Sequence, residues 1–542
     1  MKQANSGALV VFGLVLIAGL GGALLARGAL YLGMHEGDTL HLLDMALRMG
    51  LHGQWPHLDF MTPIGILAIA PIAGLVAMGL GIGTAILWAQ VLVALVLLLP
   101  LVRMAGSRFG GLWSYVMLGY GVVLCLALVH GLANPAPSVS MHYNRWAWAI
   151  VYVVLPLALL PDRGRARPYL DGALIGLGVG ALVLIKVTYA AALGPGILVA
   201  LLVRREWRVL VVAVVAGCAV LAVMTALGGS GFWVAYLTDL LTVAQSETRP
   251  APGGIDFADA VAGPANMPSS ILALAVVVLL RMTGRKAEGL ALLVLAPGLF
   301  YVTWQNFGND PQWLLLLGAA VFALLRTDQP DSRHAGRLHD AMKIAGVAAL
   351  ALTASSAVNI AYSPIRHLFA EAGNTVPLLS ALAGQDDIRV AEKRLYKVDA
   401  GVPLDGVGQP FAAYHDRADR KELSRLKGEV LPACELSTGY NAMFETIAAD
   451  LEAQGHAGSA VLTADLLGSL WMFGDLKPLK GGAPWYYGGA PGLAAADLVV
   501  VPLCPTTEKS RATILAALEK SGWRFDELRR TDVYILLRPV RP

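Results

Sequence analysis

The feature that most restricts the fold of this sequence is a series of apolar stretches between Gly7 and about Ile360, each near the length of a bilayer crossing. A crossing helix needs roughly 20 apolar residues. Over the whole chain 56% of residues are hydrophobic and 15% are charged, whereas soluble domains have about 25% charged residues. The sequence therefore predicts a polytopic α-helical membrane protein.

Twelve segments have the composition of crossing helices, and basic residues between them indicate their orientation. The segments are 7–26, 64–82, 84–102, 111–130, 146–161, 170–186, 189–203, 209–228, 269–284, 287–303, 312–326 and 342–361. Basic clusters follow at 163–167, 204–208, 281–286 and 326–343, with two apolar segments between neighbouring clusters. Cytoplasmic loops retain Lys and Arg, so we place all four clusters inside and the stretch 229–268 outside.

This orientation sends the last helix outward, which twelve crossings from a cytoplasmic N-terminus do not allow. The segment 64–82 starts just after Pro63, contains Pro71 and includes several glycines. Pro and Gly break a helix unless neighbours satisfy the freed backbone groups. We therefore predict that 64–82 does not cross, which leaves eleven crossings and an extracytoplasmic C-terminus. The predicted fold is a multi-pass protein of about eleven to twelve transmembrane helices, and the predicted location is the bacterial inner membrane.

The chain after residue 362 has the pattern of a water-soluble α/β domain. We assign residues 1–362 to the membrane domain and 363–542 to this extracytoplasmic domain. Helical spacing of apolar residues occurs over 440–454 and 508–521, and short apolar or β-branched runs typical of strands occur at 461–463, 498–503 and 533–537. Cys434 and Cys504 both lie in this domain, and the sequence leaves open whether they form a disulfide.

Three acidic residues in the first outer loop are the main candidates for catalysis. Glu36 and Asp38 follow the first helix directly, and Asp59 follows a Gly-Gln-Trp-Pro turn. Carboxylates near a bilayer are costly and usually functional, although these three could also be ordinary solvated acids. An inverting glycosyltransferase needs one carboxylate to take a proton from the acceptor hydroxyl and cationic or polar groups to hold the departing phosphate.

The spacing in this loop resembles that of the GT-C superfamily of polyprenyl-phosphate-sugar glycosyltransferases. Asp38 is followed by Gly53-Gln54-Trp55-Pro56-His57-Leu58-Asp59-Phe60 and then by Pro63. Many relatives have an Asp-Glu pair where this chain has Asp38-Thr39, so it stays open whether Glu36 takes over one role. The resemblance covers roughly residues 1–360 and implies a GT-C-like membrane domain, a lipid-phosphate sugar donor, a catalytic Asp38 and an outward-facing site. His57, in the same turn, is a candidate substrate contact.

Four residues are candidates for binding the donor phosphate. Asn144 and Arg145 lie in the run His142-Tyr143-Asn144-Arg145-Trp146, where Arg145 is suited to grip phosphate oxygens bidentately or to act as an interfacial anchor. Lys186 ends an apolar segment just before Tyr189. It can snorkel to the interface or bind the lipid phosphate, and the family resemblance favours the phosphate.

Further polar and aromatic residues are candidates for binding sugar. Gln305, Asn306, Asn309 and Asp310 form an amide-rich turn between two crossings, and Trp485 lies in a Gly-flanked aromatic segment. The alternatives are an ordinary turn and a packed surface loop. No Cys or His cluster has metal-ligand spacing, so we expect no required cofactor, although a divalent cation held by Asp38 and Asp59 is possible.

Three functions fit these features. The first is a glycosyltransferase that moves a sugar from a polyprenyl-phosphate donor to an extracytoplasmic glycan, lipid or protein acceptor, with inversion and with Asp38 as base. The second is a transporter or flippase for lipid-linked sugars, a class that favours inverted repeats and mid-bilayer charges. The third is a non-catalytic partner that binds lipid-linked sugar. Membrane lipids are expected partners, and nucleic acid is not expected as a partner because no basic stripe is interleaved with aromatic residues.

Overall fold

The computed structural model describes residues 5–131, 134–248, 266–305, 310–325, 333–406, 408–417 and 423–541. Among these residues, six helices are long and apolar enough to cross a membrane, namely Ser6–Leu25, Ile82–Arg108, Pro168–Val203, Trp207–Ala244, Lys286–Trp304 and Arg333–Leu368. Shorter apolar helices lie at Leu112–Leu126, Met267–Met282 and Trp313–Leu324. Their length and composition are those of an integral membrane protein, while the number of crossings stays a prediction.

In chain order the helices of this part are α1 (Ser6–Leu25), α2 (Glu36–His52), α3 (Ala70–Ala77), α4 (Ile82–Arg108), α5 (Leu112–Leu126), α6 (His142–Leu159), α7 (Pro168–Val203), α8 (Trp207–Ala244), α9 (Asn266–Met282), α10 (Lys286–Trp304), α11 (Trp313–Leu324) and α12 (Arg333–Leu368). Helix α6 is buried along almost its whole length, including the polar residues His142, Asn144 and Arg145. It therefore forms the centre of the bundle.

Helix α7 consists of two arms joined by a sharp turn at Lys186, whose φ of −158° and ψ of 102° are not helical. Asp171, near the start of the first arm, pairs with Arg108 at 2.7 Å. Arg204, just after the second arm, donates to the carbonyl of Ala158 at 3.5 Å, and Arg108 also donates to the neighbouring Leu157 carbonyl at 3.4 Å. Both ends of α7 thus lie beside the end of α6, so the chain reverses direction at Lys186.

Four charged residues connect the ends of α4, α6 and α7. Arg103 and Arg108 each pair with both Asp162 and Asp171, at distances of 2.7–2.8 Å between nitrogen and oxygen. Asp162 directly precedes the basic cluster at 163–167. Arg103 and Arg108 therefore lie at the same end of the bundle as the arginines that we predict to be cytoplasmic.

The segment 64–82 does not form a single helix, in agreement with the prediction from its Pro and Gly residues. It contains a 3₁₀ turn at Ile66–Ala68 and the 8-residue helix α3. An α-helix of that length spans about 12 Å, whereas the hydrocarbon core of a bilayer is about 30 Å thick. Helix α3 is therefore too short to cross.

The expectation that 229–268 is an outer loop from its start is wrong. Helix α8 continues to Ala244 after a change of direction at Gly229, where φ is 72° and ψ is 173°. Phe232 and Tyr236 of this second half pack against the ring of His57, with centroids 5.3 Å and 4.3 Å apart. Burial of this aromatic face stabilises the helix, whereas the charged residues of the stretch suggested a loop. Residues 249–265 lie outside the described part of the chain.

The C-terminal part contains the predicted α/β elements. The strands are β2 (Thr375–Pro377), β3 (Ile388–Ala391), β4 (Asp399–Gly401), β5 (Arg425–Leu426), β6 (Glu429–Val430), β7 (Glu435–Thr438), β8 (Val461–Thr463), β9 (Leu498–Pro502), β10 (Arg524–Arg530) and β11 (Tyr534–Val540). The helices are α13 (Glu392–Leu395), α14 (Tyr440–Ala453) and α15 (Glu508–Lys520). A four-stranded sheet of order β10-β11-β9-β8, with β8 and β9 parallel, forms its centre, and Cys434 is bonded to Cys504.

A C-terminal segment attaches directly to the first part of the chain. Strand β3 pairs in parallel with β1 (Leu30–Leu32), which lies between α1 and α2. The side chain of Gln385 accepts the Ile82 N–H at 2.8 Å, and the Asp387 carboxylate accepts those of Gly83 and Thr84 at 2.8 Å and 2.6 Å. The first N–H groups of α4, which lack partners within the helix, are thus capped from about 300 residues away. The predicted domain boundary at residue 362 stays a prediction.

Candidate active site

A cavity of about 280 Å³ lies where α2, the turn of α7 and the ends of α8 and α10 meet the C-terminal part. Its wall combines charged, polar, aromatic and aliphatic side chains. The lining residues are Asp38, His41, Leu42, Pro63, Ile64, His130, Ser140, Met141, Tyr143, Lys186, Val187, Thr188, Leu240, Val243, Ala244, Tyr301, Gln305, Trp485 and Tyr487. The cavity therefore brings together four of the residues predicted from the sequence, namely Asp38, Lys186, Gln305 and Trp485.

Asp38 reaches the cavity because it lies in the first turn of α2. The preceding residue His35 has a left-handed backbone, with φ of 63° and ψ of 46°, and the helix begins immediately after it. A negative charge in the first turn is favoured by the positive end of the helix dipole. Asp38 and His41 are three residues apart, so they share one face of the helix, and both line the cavity.

Glu36 occupies a different position from Asp38, although the two are close in sequence. Its carboxylate forms a two-pronged ion pair with Arg394 of α13, in which Nη2 and Oε2 are 3.0 Å apart. The Glu36 side chain is 9% exposed and the Arg394 side chain 46%. Glu36 therefore holds the first turn of α2 against the C-terminal part and is absent from the cavity wall.

Lys186 projects into the cavity from the turn of α7. Its Nζ donates to Asn144 Oδ1 at 3.2 Å and lies 5.5 Å from the ring centroid of Tyr143. Two carbonyls just before the turn have partners, because Tyr236 donates to Val183 at 2.8 Å and the Gly65 N–H donates to Ile185 at 3.0 Å. The turn is therefore fully integrated into the packing of the bundle.

The other three candidates for phosphate binding lie behind the cavity wall. Asn144 accepts from Lys186 and, at 3.4 Å, from the hydroxyl of Tyr189. Arg145 is completely buried and donates to the carbonyl of His130 at 2.7 Å. The structure thus places Asn144 and Tyr189 beside the lysine, and Arg145 beneath the loop that carries His130.

Two histidines and two serines form a hydrogen-bonded group beside Asp38, which sequence reasoning missed. His35 bonds to Ser138 at 3.1 Å, Ser138 to Ser140 at 2.9 Å and Ser140 to His130 at 3.2 Å. Burial, with smaller contributions from His35 and Arg145, lowers the pKa of His130 to about 4. His130 is therefore neutral near pH 7. The sequence signal for this group was a polar loop directly after an apolar helix, since His130 and Ser140 both lie in that loop.

One acid and one histidine predicted from the first outer loop serve its attachment. Asp59 accepts the Trp55 N–H at 2.9 Å and lies 3.4 Å from Nζ of Lys480. His57, with φ of 71°, bonds through Nδ1 to Asp239 of α8 at 2.8 Å. Neither Asp59 nor His57 is part of the cavity wall.

The amide-rich turn after α10 is divided between the cavity and the bundle interior. Gln305 lines the cavity. Asp310 is buried and accepts a hydrogen bond from Ser356 of α12. Asn306 and Asn309 lie outside the described residues. Among the described residues, no three His, Cys, Asp or Glu side chains are grouped so that they could hold a metal ion, and a role for a divalent cation stays an untested expectation.

No family model and no curated protein matches this sequence. A solved structure similar to the chain is the single-particle cryo-EM structure of arabinofuranosyltransferase AftD from Mycobacteria. The match covers 100% of this chain and 40% of that chain, with 13% sequence identity and a TM-score of 0.39. Similarity at this level does not establish a shared fold or activity, so the function of this chain must be argued from its own residues.

Proposed function

We propose that this chain is a membrane glycosyltransferase that takes a sugar from a polyprenyl-phosphate donor, with Asp38 as general base and Lys186 as phosphate ligand. The observation that supports the proposal is the single cavity whose wall contains both residues. An inverting transfer needs a carboxylate for the acceptor and a cation for the leaving phosphate. Two different structural elements supply these groups to the cavity: α2 carries Asp38 and the turn of α7 carries Lys186.

The surroundings of Lys186 fit a lipid-borne phosphate. The second arm of α7 begins at the cavity with Val187 and Thr188, and the N-terminus of a helix favours an anion through its N–H groups and dipole. Helix α8 contributes three aliphatic side chains to the same wall, namely Leu240, Val243 and Ala244. A polyprenyl chain would lie along these residues, with its phosphate at the ammonium group.

The proposed reaction is a direct displacement at the anomeric carbon. The Asp38 carboxylate takes the proton of the acceptor hydroxyl while the oxygen of that hydroxyl bonds to the anomeric carbon. The bond between that carbon and the phosphate oxygen breaks, and its electron pair leaves with the polyprenyl phosphate, whose charge Lys186 balances. Attack from the face opposite to the leaving group inverts the anomeric configuration. Because His130 is neutral, it adds no positive charge that would weaken the Asp38 carboxylate as a base.

We propose that the cavity faces the extracytoplasmic side. Asp171, in the cluster with Arg103 and Arg108, and Lys186 are separated by about 22 Å along the first arm of α7. The cavity and the arginine-rich end are therefore at opposite ends of the bundle, and arginines collect on the cytoplasmic side. The same proposal includes a hexose or pentose as the transferred sugar and an extracytoplasmic glycan, lipid or protein as its acceptor.

The test is a transfer assay with the purified full-length chain in nanodiscs, a radiolabelled polyprenyl-phosphate sugar and cell-envelope acceptors. Asp38→Asn should reduce kcat at least about 100-fold, because a base typically contributes about 10²–10⁴-fold. Asp59→Asn is the matched variant in the same loop, and it should keep most of the activity because Asp59 contacts Trp55 and Lys480. Lys186→Gln should weaken donor binding, whereas Lys480→Gln should not.

Equal activity of wild type and Asp38→Asn would remove Asp38 as the base. Loss in Asp59→Asn with retention in Asp38→Asn would transfer that role to the other acid. Absence of transfer from every lipid-linked donor, together with movement of labelled lipid across the bilayer of proteoliposomes, would replace the glycosyltransferase by the transporter function.

A further inference from the structure

We propose that Trp485 and Tyr487 form a binding platform for a carbohydrate ring of the acceptor, so that the acceptor of the proposed transfer is a glycan or glycoside. The platform rests on the proposed function, since Asp38 is the base that the acceptor must reach. It also assigns a task to the C-terminal part of the chain, which supplies both aromatic residues to the cavity.

The backbone directs the two rings into the cavity by simple alternation. Trp485 and Tyr487 line the cavity. Trp485 is partly exposed, whereas Tyr487 is 2% exposed and contributes only a small part of the platform surface. Tyr486 between them is also 2% exposed and packs into the hydrophobic core of the C-terminal sheet. The Tyr486 N–H donates to the carbonyl of Leu466 at 2.8 Å. Successive side chains of an extended segment point to opposite sides, so anchoring Tyr486 in the core presents its two neighbours to the cavity.

The segment before the two rings is held on both sides. The Gly468 N–H donates to the Pro484 carbonyl at 3.2 Å, and the Met61 N–H donates to the Gly482 carbonyl at 2.9 Å. A side chain at position 468 would not fit, because its Cβ would lie 2.5 Å from the Ala483 carbonyl oxygen. The platform is therefore built into the contact between the first outer loop and the C-terminal part.

The location of the platform indicates the acceptor side of the reaction. The ring of Trp485 packs against that of His41, with centroids 5.4 Å apart, and His41 is one turn along α2 from Asp38. A general base must lie next to the hydroxyl that it deprotonates. The donor phosphate, by contrast, is proposed at Lys186, beside the aliphatic end of α8.

The chemistry around the platform favours a sugar over other acceptors. A sugar ring has an apolar face of C–H groups and an edge of hydroxyls. Trp485 provides most of the aromatic surface for the face, with a small contribution from the largely buried Tyr487, and Asp38, His41 and Gln305 provide hydrogen-bonding groups for the edge. A lipid chain has no hydroxyl groups with which these polar side chains could form hydrogen bonds. A peptide backbone lacks the continuous face of C–H groups that a sugar ring presents to an aromatic ring.

The first experiment measures binding without turnover. Saturation-transfer difference NMR would use the full chain in phospholipid nanodiscs, free of sugar-based detergent, with methyl glycosides of a hexose and a pentose, and with an N-acetyl dipeptide amide as the other class of ligand. We expect strong saturation of the C–H protons on one ring face in wild type, loss of that signal in Trp485→Ala, and no change in Trp523→Ala. Trp523 lies in the same domain, near Arg541, and does not line the cavity.

The second experiment separates acceptor from donor in the transfer assay. Trp485→Ala should raise the acceptor KM about tenfold or more with little change in donor KM or kcat, and Trp485→Phe should restore most of the affinity. Gly468→Ala, which displaces the segment without removing a ring, should also raise the acceptor KM.

The platform is wrong if the glycoside signals are the same in Trp485→Ala and wild type, if the dipeptide binds in the same Trp485-dependent way, or if donor KM changes in place of acceptor KM. Failure of the proposed function is a separate result. If wild type transfers no sugar but still binds glycosides through Trp485, the glycosyltransferase is refuted and the carbohydrate platform stands.

Discussion

Removing the guanidinium group of Arg48 should destabilise the protein by about 3–5 kcal/mol, because the carboxylate of Asp44 would stay buried without its cation. The two residues are one turn apart on α2 and form an ion pair in which their side chains are 1% and 0% exposed. Arg48 also donates to the carbonyl of Leu479 at 2.7 Å and to Oε1 of Gln54 at 3.1 Å. The pair therefore connects the helix that carries Asp38 to the C-terminal part.

The pH dependence of Arg48→Met provides a sharper test than its stability alone. Burial raises the pKa of Asp44, and the charge of Arg48 opposes that rise. Without Arg48 the folded-state pKa should rise further above the unfolded value. Such a group stabilises the fold at low pH, and this contribution is lost as pH rises through the folded pKa. We therefore expect the stability deficit of Arg48→Met to shrink as the pH is lowered from about 8 to about 5.

The assay is denaturant unfolding of the full chain in nanodiscs, followed by tryptophan fluorescence. The double variant Asp44→Leu with Arg48→Met should recover most of the stability, because replacing both members of a buried pair by apolar groups is often neutral. Arg524→Met is the control, since Arg524 is 75% exposed and pairs with Asp526 at 3.5 Å. A loss below about 1 kcal/mol, a deficit independent of pH, or a double variant as unstable as Arg48→Met would refute the reasoning.

Three further predictions concern single contacts. Gly65→Ala should lower the free energy of unfolding by about 1–3 kcal/mol, because the added Cβ would lie 2.2 Å from a backbone oxygen of α7. Gly74→Ala is the control, since its Cβ would meet no atom within 4 Å. Equal unfolding temperatures of the two variants would contradict this prediction. Glu36→Gln and Arg394→Gln should each speed hydrogen exchange in the first turn of α2 and lower transfer several-fold, and the reversed pair Glu36→Arg with Arg394→Glu should restore part of both; no recovery would argue against the ion pair. Burial raises the pKa of Asp465 to about 6, so wild type should lose up to about 3 kcal/mol relative to Asp465→Asn as pH rises from about 4 to about 7, and a constant difference would contradict this.

The elements predicted correctly from the sequence are those with a local signal. Apolar stretches of bilayer length became helices, and the short β-branched runs at 461–463 and 498–503 became the parallel strands β8 and β9. The failure of 64–82 to form one helix could be predicted because Pro and Gly act on their own backbone. These features depend on neighbouring residues and need no knowledge of distant contacts.

The features that could not be predicted depend on distant partners. Glu36 and Asp38 are equivalent as sequence, and Glu36 is withdrawn from the cavity by Arg394, which lies 358 residues further along the chain. The turn at Lys186 has no Pro or Gly at that residue, and it is supported by Gly65 and Tyr236 from elsewhere. Such contacts have no local pattern, so the sequence named Asp38 and Lys186 as candidates without showing that they share a cavity.

The capping of α4 by Gln385 and Asp387 has a consequence for how the protein is made. Helix α4 enters the membrane early in synthesis, but its capping groups are 303 residues away from it. At translation rates of about 5–20 residues per second, they emerge roughly 15–60 s later. During that interval the start of α4 must rely on water or lipid headgroups for its hydrogen bonds, so final assembly of the bundle waits for the last third of the chain. Separate expression of the first 362 residues should therefore give a folding intermediate.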